Sequence, residues 1–118
     1  MAAGTYNFTI EQGVDLNKTL TFYTDATRVT PVDLSGYTIA MQIRKTKNSV
    51  DYIDSLTSGT ARIDITNAAT GIIILKWTAA ITAQFNFDEA VYDLEFTDTG
   101  VISRQLQGTI TLDKEVTK

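Results

Sequence analysis

Asp98-Thr99-Gly100 is the stretch that most invites a chemical reading, because an aspartate in such a tripeptide can serve acid–base hydrolysis. That chemistry needs two carboxylates sharing one proton, each held in a loop beneath a covering flap. Only Val101 to Lys118 follows here, too little chain to build those parts. The tripeptide is also ordinary hairpin-turn material. Carboxylates recur in pairs at Asp51/Asp54, Asp88/Glu89 and Asp93/Glu95. Glycoside hydrolysis needs two carboxyls across a cleft, one with a raised pKa, and neighbours on a wet strand face do not supply that. No Asp-rich spacing resembles a calcium loop, and no Gly-rich stretch could cradle a phosphate.

Composition narrows the field further. The chain has no His and no Cys, which excludes zinc fingers, thiolate nucleophiles, iron–sulfur ligation and Ser-His-Asp triads. Its 10 basic and 14 acidic residues give a net charge of −4, whereas nucleic-acid binders need cations to neutralise phosphate. A non-enzymatic chain without metal or cofactor is therefore expected, one that acts by contact. The candidate contact residues are Lys18, Tyr52, Phe85, Phe87 and Arg104. Tyr52, Phe85 and Phe87 lie in irregular stretches, and interfaces bury aromatics preferentially. Lys18 interrupts the apolar row of Leu16 and Leu20, and a charge so placed must reach a rim or meet a carboxylate on a partner. Trp77 reads as a core anchor, and Tyr92 as a tyrosine corner opening a strand after a crossover.

These residues are carried by strands. Thr, Ile and Val are abundant, and β-branched residues suit a pleated surface. Apolar residues alternate in Tyr37 to Arg44 and again in Tyr92 to Thr97, the period of a strand with one wet face. Shorter rows run through Tyr6, Phe8 and Ile10, through Leu20 and Phe22, and through Ile63 and Ile65. Ile72 to Trp77 is apolar almost throughout, as for a strand buried on both sides, and a last strand runs from about Val101 to Leu112. Reversals are expected at Gln12-Gly13, Thr24-Asp25, Asp33 to Gly36, Ser58-Gly59, Asn67 to Gly71 and Asp98 to Gly100. Thr78 to Phe85 is the one helix candidate, with Thr78 as N-cap. The expected fold is all-β: an antiparallel, Ig-like β-sandwich of seven or eight strands, with one short crossover helix near 78–85. It forms a single domain over 1–118, with a flexible arm at 1–5 and a tail at 113–118. In the last hairpin, a two-residue loop would set Phe96 opposite Ser103 and Leu94 opposite Gln105. A three-residue loop sets Phe96 opposite Ile102 and Tyr92 opposite Leu106, so burial favours it. Arg104 then falls in the apolar row opposite Leu94. Met1 to Asn7 has neither a basic nor an apolar region of the kind that opens a signal peptide. The longest apolar run, Ile72 to Leu75, is far short of the roughly 20 residues that span a bilayer.

Several phrases in order carry a resemblance. They are Phe8 to Gly13, Asp33-Leu34-Ser35-Gly36-Tyr37-Thr38, Met41 to Arg44, Tyr92 to Asp98, and Gln107 to Leu112 followed by Glu115-Val116-Thr117. Together they resemble small proteins encoded among the tail, baseplate and tail-fibre genes of tailed bacteriophages. The Asp-Leu-Ser-Gly-Tyr stretch with its alternating strand is similar to the N-terminal sandwich domain of upper baseplate proteins. Asn48 to Thr60 lies outside the resemblance. What it implies is a virion structural protein without catalysis, assembled in the bacterial cytoplasm and present in many copies on a symmetric platform. Its partners would be other virion proteins, with no nucleic acid and no membrane. A head decoration protein and a carbohydrate-binding module of the adsorption apparatus are the alternatives.

Overall fold

The alternation read in Thr38 to Arg44 and in Glu89 to Asp98 becomes two neighbouring strands whose inward residues are almost wholly buried. The computed structural model describes residues 4–23, 30–60 and 62–116. Their elements are β1 (Gly4–Thr5), β2 (Phe8–Glu11), β3 (Leu16–Thr21), β4 (Thr38–Arg44), β5 (Asp54–Thr57), β6 (Ile63–Asp64), β7 (Ile72–Trp77), α1 (Ala79–Ala83), β8 (Glu89–Asp98) and β9 (Val101–Asp113). One sheet has the order β1-β9-β8-β4-β5, with β2 also on β9; the other is β3-β7-β6. This is the strand order of a variable-type Ig sandwich: β3, β7 and β6 fill the B, E and D places, and β9, β8, β4 and β5 the G, F, C and C′ places. The A place beside β3 holds no strand among the described residues. Instead β1 and β2 run parallel to β9, a departure from the purely antiparallel expectation that also draws Gly4 and Thr5 of the expected arm into the sheet. The Thr24-Asp25 reversal, Met1 to Ala3 of the arm, Ala61 and the last two residues of the tail lie outside the described residues.

Ile39, Met41 and Ile43 on β4 and Leu94 on β8 face Leu75 and Trp77 on β7 within one core. Each such side chain contributes roughly 1.5–3 kcal/mol by leaving water. Phe8 links the layers through rings, with centroids 5.4 Å from Tyr92 and 6.0 Å from Trp77. Phe96 is likewise held edge-on by Phe22 at 5.1 Å and by Tyr37 at 6.0 Å. Two strand readings are corrected. β7 is not buried on both sides, since Ile72, Ile74 and Lys76 face outward and are half-buried. Ile65 does not share the face of Ile63, because β6 ends at Asp64 and the chain turns, leaving Ile65 exposed. The helix falls where expected, with Thr78 accepting from the Ile81 amide. The Asp15 carboxylate also accepts from the Ala79 amide at 2.6 Å, so a second residue caps the same end.

The last hairpin closes with two residues, not three. Thr99 (φ 48°) and Gly100 (φ 84°) both adopt left-handed conformations, the geometry that matches strand twist. Phe96 therefore lies opposite Ser103, but a bulge between Leu94 and Glu95 takes up the extra residue Gln105 and brings Leu106 opposite Leu94. Burial is satisfied beyond the bulge rather than at the turn. Val101 and Ile102 are left exposed at the tip, and Arg104 sits opposite Glu95 on the outer face. Gly108 faces a different demand, since an added Cβ would stand 2.0 Å from the Tyr6 carbonyl oxygen.

Two substitutions test this geometry in urea unfolding. Thr99→Asn relieves a β-branched residue at positive φ and is expected to stabilise the chain by about 0.5–1 kcal/mol. Gly108→Ala must push β1 and β2 off β9 and is expected to cost about 2–3 kcal/mol.

Candidate interaction sites

The best-connected polar group between the two sheets is the Asp54 carboxylate. Strand parity places Asp54 two residues before the fully buried Leu56, so it points the same way, towards the core. Its Oδ2 accepts from Arg62 Nη2 at 2.6 Å and from the Trp77 indole Nε1 at 3.0 Å, and its Oδ1 from Arg62 Nη1 at 3.2 Å. Arg62 Nε donates to the Lys76 carbonyl at 2.9 Å. The cluster joins β5 of one sheet to β7 of the other. Sequence reading saw Asp54 only as half of a carboxylate pair and passed over Arg62. The available signal was an acid placed on the same strand face as the single apolar residue of that stretch.

Of the expected contact residues, Tyr52 alone projects from a loop, at 55% exposure and beside Val50 at 92%. Phe85 and Phe87 are corrected. Both are buried in the core cluster, with ring centroids 5.5 Å apart. They instead form the floor of a cavity of about 460 Å³, with Ile53 and Ile81 on its walls and Lys45, Gln84 and Asn86 at its rim. Two side chains hold this end together. Thr82 Oγ1 accepts from the Gly13 and Val14 amides at 3.0 and 3.1 Å, and Gln12 Nε2 donates to the Phe85 carbonyl at 2.8 Å.

Arg104 is exposed, and its expected place in the apolar row opposite Leu94 is corrected. The bulge turns it to the outer face, where its Nε lies 3.3 Å from Asp93 Oδ2. That pair belongs to a polar groove of about 220 Å³ with Gln42, Arg44, Lys47, Glu95 and Gln107. Arg44 is committed to the 45–53 loop through bonds to the Ser49 and Val50 carbonyls at 3.0 and 2.9 Å. Lys18 does point inward as its place between Leu16 and Leu20 requires. Its ammonium lies 5.0 Å from the Tyr6 ring centroid and 5.6 Å from that of Phe8, a cation–π contact at the seam of the sandwich.

Trp77 is the core anchor the sequence suggested, at 1% exposure. Tyr92 is structural but makes no corner within its own crossover: its hydroxyl donates to the Tyr6 carbonyl at 2.6 Å and pins the chain between β1 and β2. Burial pushes that hydroxyl above its ordinary pKa of 10.0. The remaining carboxylates are surface groups. Lys114 beside Asp88 holds that carboxyl below its usual range, chiefly through a hydrogen bond at 2.8 Å. Asp98-Thr99-Gly100 is a hairpin turn. Among the described residues, no group of three or more acidic side chains could hold a metal ion.

No protein-family model matches the chain, and no curated protein does either. Among solved structures it is similar to the extracellular fragment of novel immune-type receptor 11 from Ictalurus punctatus, including its stalk region. That likeness is 12% in identity with a TM-score of 0.34, over the whole of this chain and 89% of the receptor fragment. The fold assignment rests on the strand order given above.

Asp54→Ala leaves a guanidinium and an indole N–H without their acceptor and is expected to cost about 3 kcal/mol in urea unfolding, with a shift in Trp77 fluorescence. Tyr92 gives a pH test. Below about pH 10 its hydroxyl is protonated in both folded and unfolded chains; above that the unfolded chain ionises first, so stability falls as pH rises. In Tyr92→Phe, unfolding midpoints between about pH 9 and 12 are expected to decline less steeply than in the parent.

Proposed function

We propose that this chain is a non-enzymatic structural protein of a tailed-phage virion, part of the tail or baseplate, where it connects or positions fibres through protein–protein contacts. The observation that carries the reading is the ordered run of phrases from Phe8 to Thr117 that resembles such proteins. The shape of the molecule supports it. The described residues extend 43 × 28 × 28 Å. β4 runs from Thr38, opposite Thr97, to Arg44, opposite Val91, so the 45–53 loop and the 99–100 turn stand at opposite ends of the long strands. Val50 and Tyr52 are exposed at one end and Val101 and Ile102 at the other. Apolar side chains presented at both ends of a rod-like domain suit a part that bridges two neighbours, and on a symmetric platform modest contacts are multiplied.

The sugar-binding alternative needs aromatics side by side. Trp77 is buried, and the exposed Tyr23 and Tyr52 lie at opposite ends, which favours protein contacts over a glycan platform. Cryo-microscopy of intact particles of the encoding phage tests the proposal. Density for this subunit at the tail or baseplate, with Val50 or Ile102 buried against neighbours, is expected. Its presence on the head lattice, or its absence from purified particles, would overturn the reading.

A further inference from the structure

β3 is an open edge with an apolar cleft beside it. It pairs with β7 on one side and with no strand among the described residues on the other. The Phe22 N–H bonds to the Gly71 carbonyl and the Phe22 carbonyl accepts from Val32, so by strand alternation the main-chain groups of Asn17, Thr19 and Thr21 point to the open side. Side chains at those positions are neutral and exposed, without the charges that commonly guard an edge. Along the same edge runs a cleft of about 500 Å³ lined by Tyr6, Leu20, Thr21, Phe22, Tyr23 and Leu106, where the seam between the two sheets gapes. Tyr6, Leu20, Phe22 and Leu106 are half-buried there, so their apolar surface is only part covered.

Lys18 decides what could lie on this edge. Its ammonium sits in the seam against aromatic rings, and no carboxylate of the described residues forms an ion pair with it. A second copy pairing antiparallel through β3 would bring two such ammoniums into one seam, with no acid on either strand to offset them. An acidic segment would instead gain a charge pair in a partly desolvated place.

We propose that the β3 edge accepts an extended segment of a different protein, apolar at alternate positions and carrying a carboxylate where it passes Lys18. Main-chain bonds to Asn17, Thr19 and Thr21 supply affinity, the cleft receives apolar side chains, and Lys18 selects for the acid. The inference goes beyond the proposed virion role and does not depend on it.

The test titrates the full ¹⁵N-labelled chain with the capped peptide VTVTETV and with its glutamine counterpart VTVTQTV. Saturable binding is expected, with shifts and slowed exchange at the Asn17, Thr19 and Thr21 amides, and severalfold tighter for the glutamate peptide. Lys18→Met should bind both peptides equally. Thr19→Pro, whose N–H points away from β7, should keep the parent spectrum elsewhere and lose peptide binding. No saturable binding at millimolar peptide, or equal affinity of the parent chain for both peptides, would overturn the proposal. So would shifts confined to other strands. Amides of Asn17, Thr19 and Thr21 already protected without peptide, or a dimer joined through β3, would also count against it.

Discussion

A two-sheet sandwich without cysteine must fix the relation of its layers by packing and by polar contacts that cross the core, and here the Asp54 carboxylate is the most heavily bonded of these. It takes two bonds from Arg62 and one from the Trp77 indole. Apolar burial supplies most of the stability, since Leu, Ile and aromatic side chains from both sheets leave water together. Apolar contacts are non-directional, however, and several sheet offsets would bury similar area. A carboxylate with these three directed bonds and a fourth from the Ser55 amide has one acceptable position. It sets where the short β5 begins, how the chain crosses between layers through Arg62, and which face of β7 is inward. The rest follows locally: Thr82 and Gln12 tie α1 and Phe85 to the β2–β3 turn, and Tyr92 pins the chain between β1 and β2 to β8.

The parts of this architecture that rest on period and local chemistry were legible in the sequence. Alternation located β4 and most of β8, the last strand was read near its bounds, Thr78 capped the helix as its hydroxyl suggested, and Trp77 entered the core. What was illegible depends on partners distant in the chain. β5 has one apolar residue, Leu56, too few to show a period. The parallel addition of β1 and β2 to β9 leaves no mark on either segment alone. In the last hairpin the strands conflicted by one residue, and the offset could be absorbed at the turn or by a bulge. Turn twist favoured two residues, so the bulge took the offset and carried Arg104 to the outer face. Phe85 and Phe87 looked available because their segment is irregular, yet irregular backbone can turn its side chains into the core.

The proposed role rests on the surfaces of the chain. The sheet faces are polar and mixed in charge, with Asp93 and Arg104 paired on one and Asp64 and Lys76 on the other. Apolar side chains are exposed at both ends of the long strands, and the open β3 edge flanks the cleft lined by Tyr6, Leu20, Phe22 and Leu106. Under the proposed role, rigid strands would set the spacing between the two ends, and the loops there would carry the contacts.

The chain holds one tryptophan, so its indole proton gives a single resolved signal that reports directly on the Asp54 contact. Hydrogen exchange of that proton is the most direct measurement. If Asp54 holds Trp77 as described, the proton exchanges only through global unfolding, with a protection matching the unfolding free energy from urea. Exchange at the rate of a solvated indole, while core amides of β4 and β8 remain protected, would contradict the account.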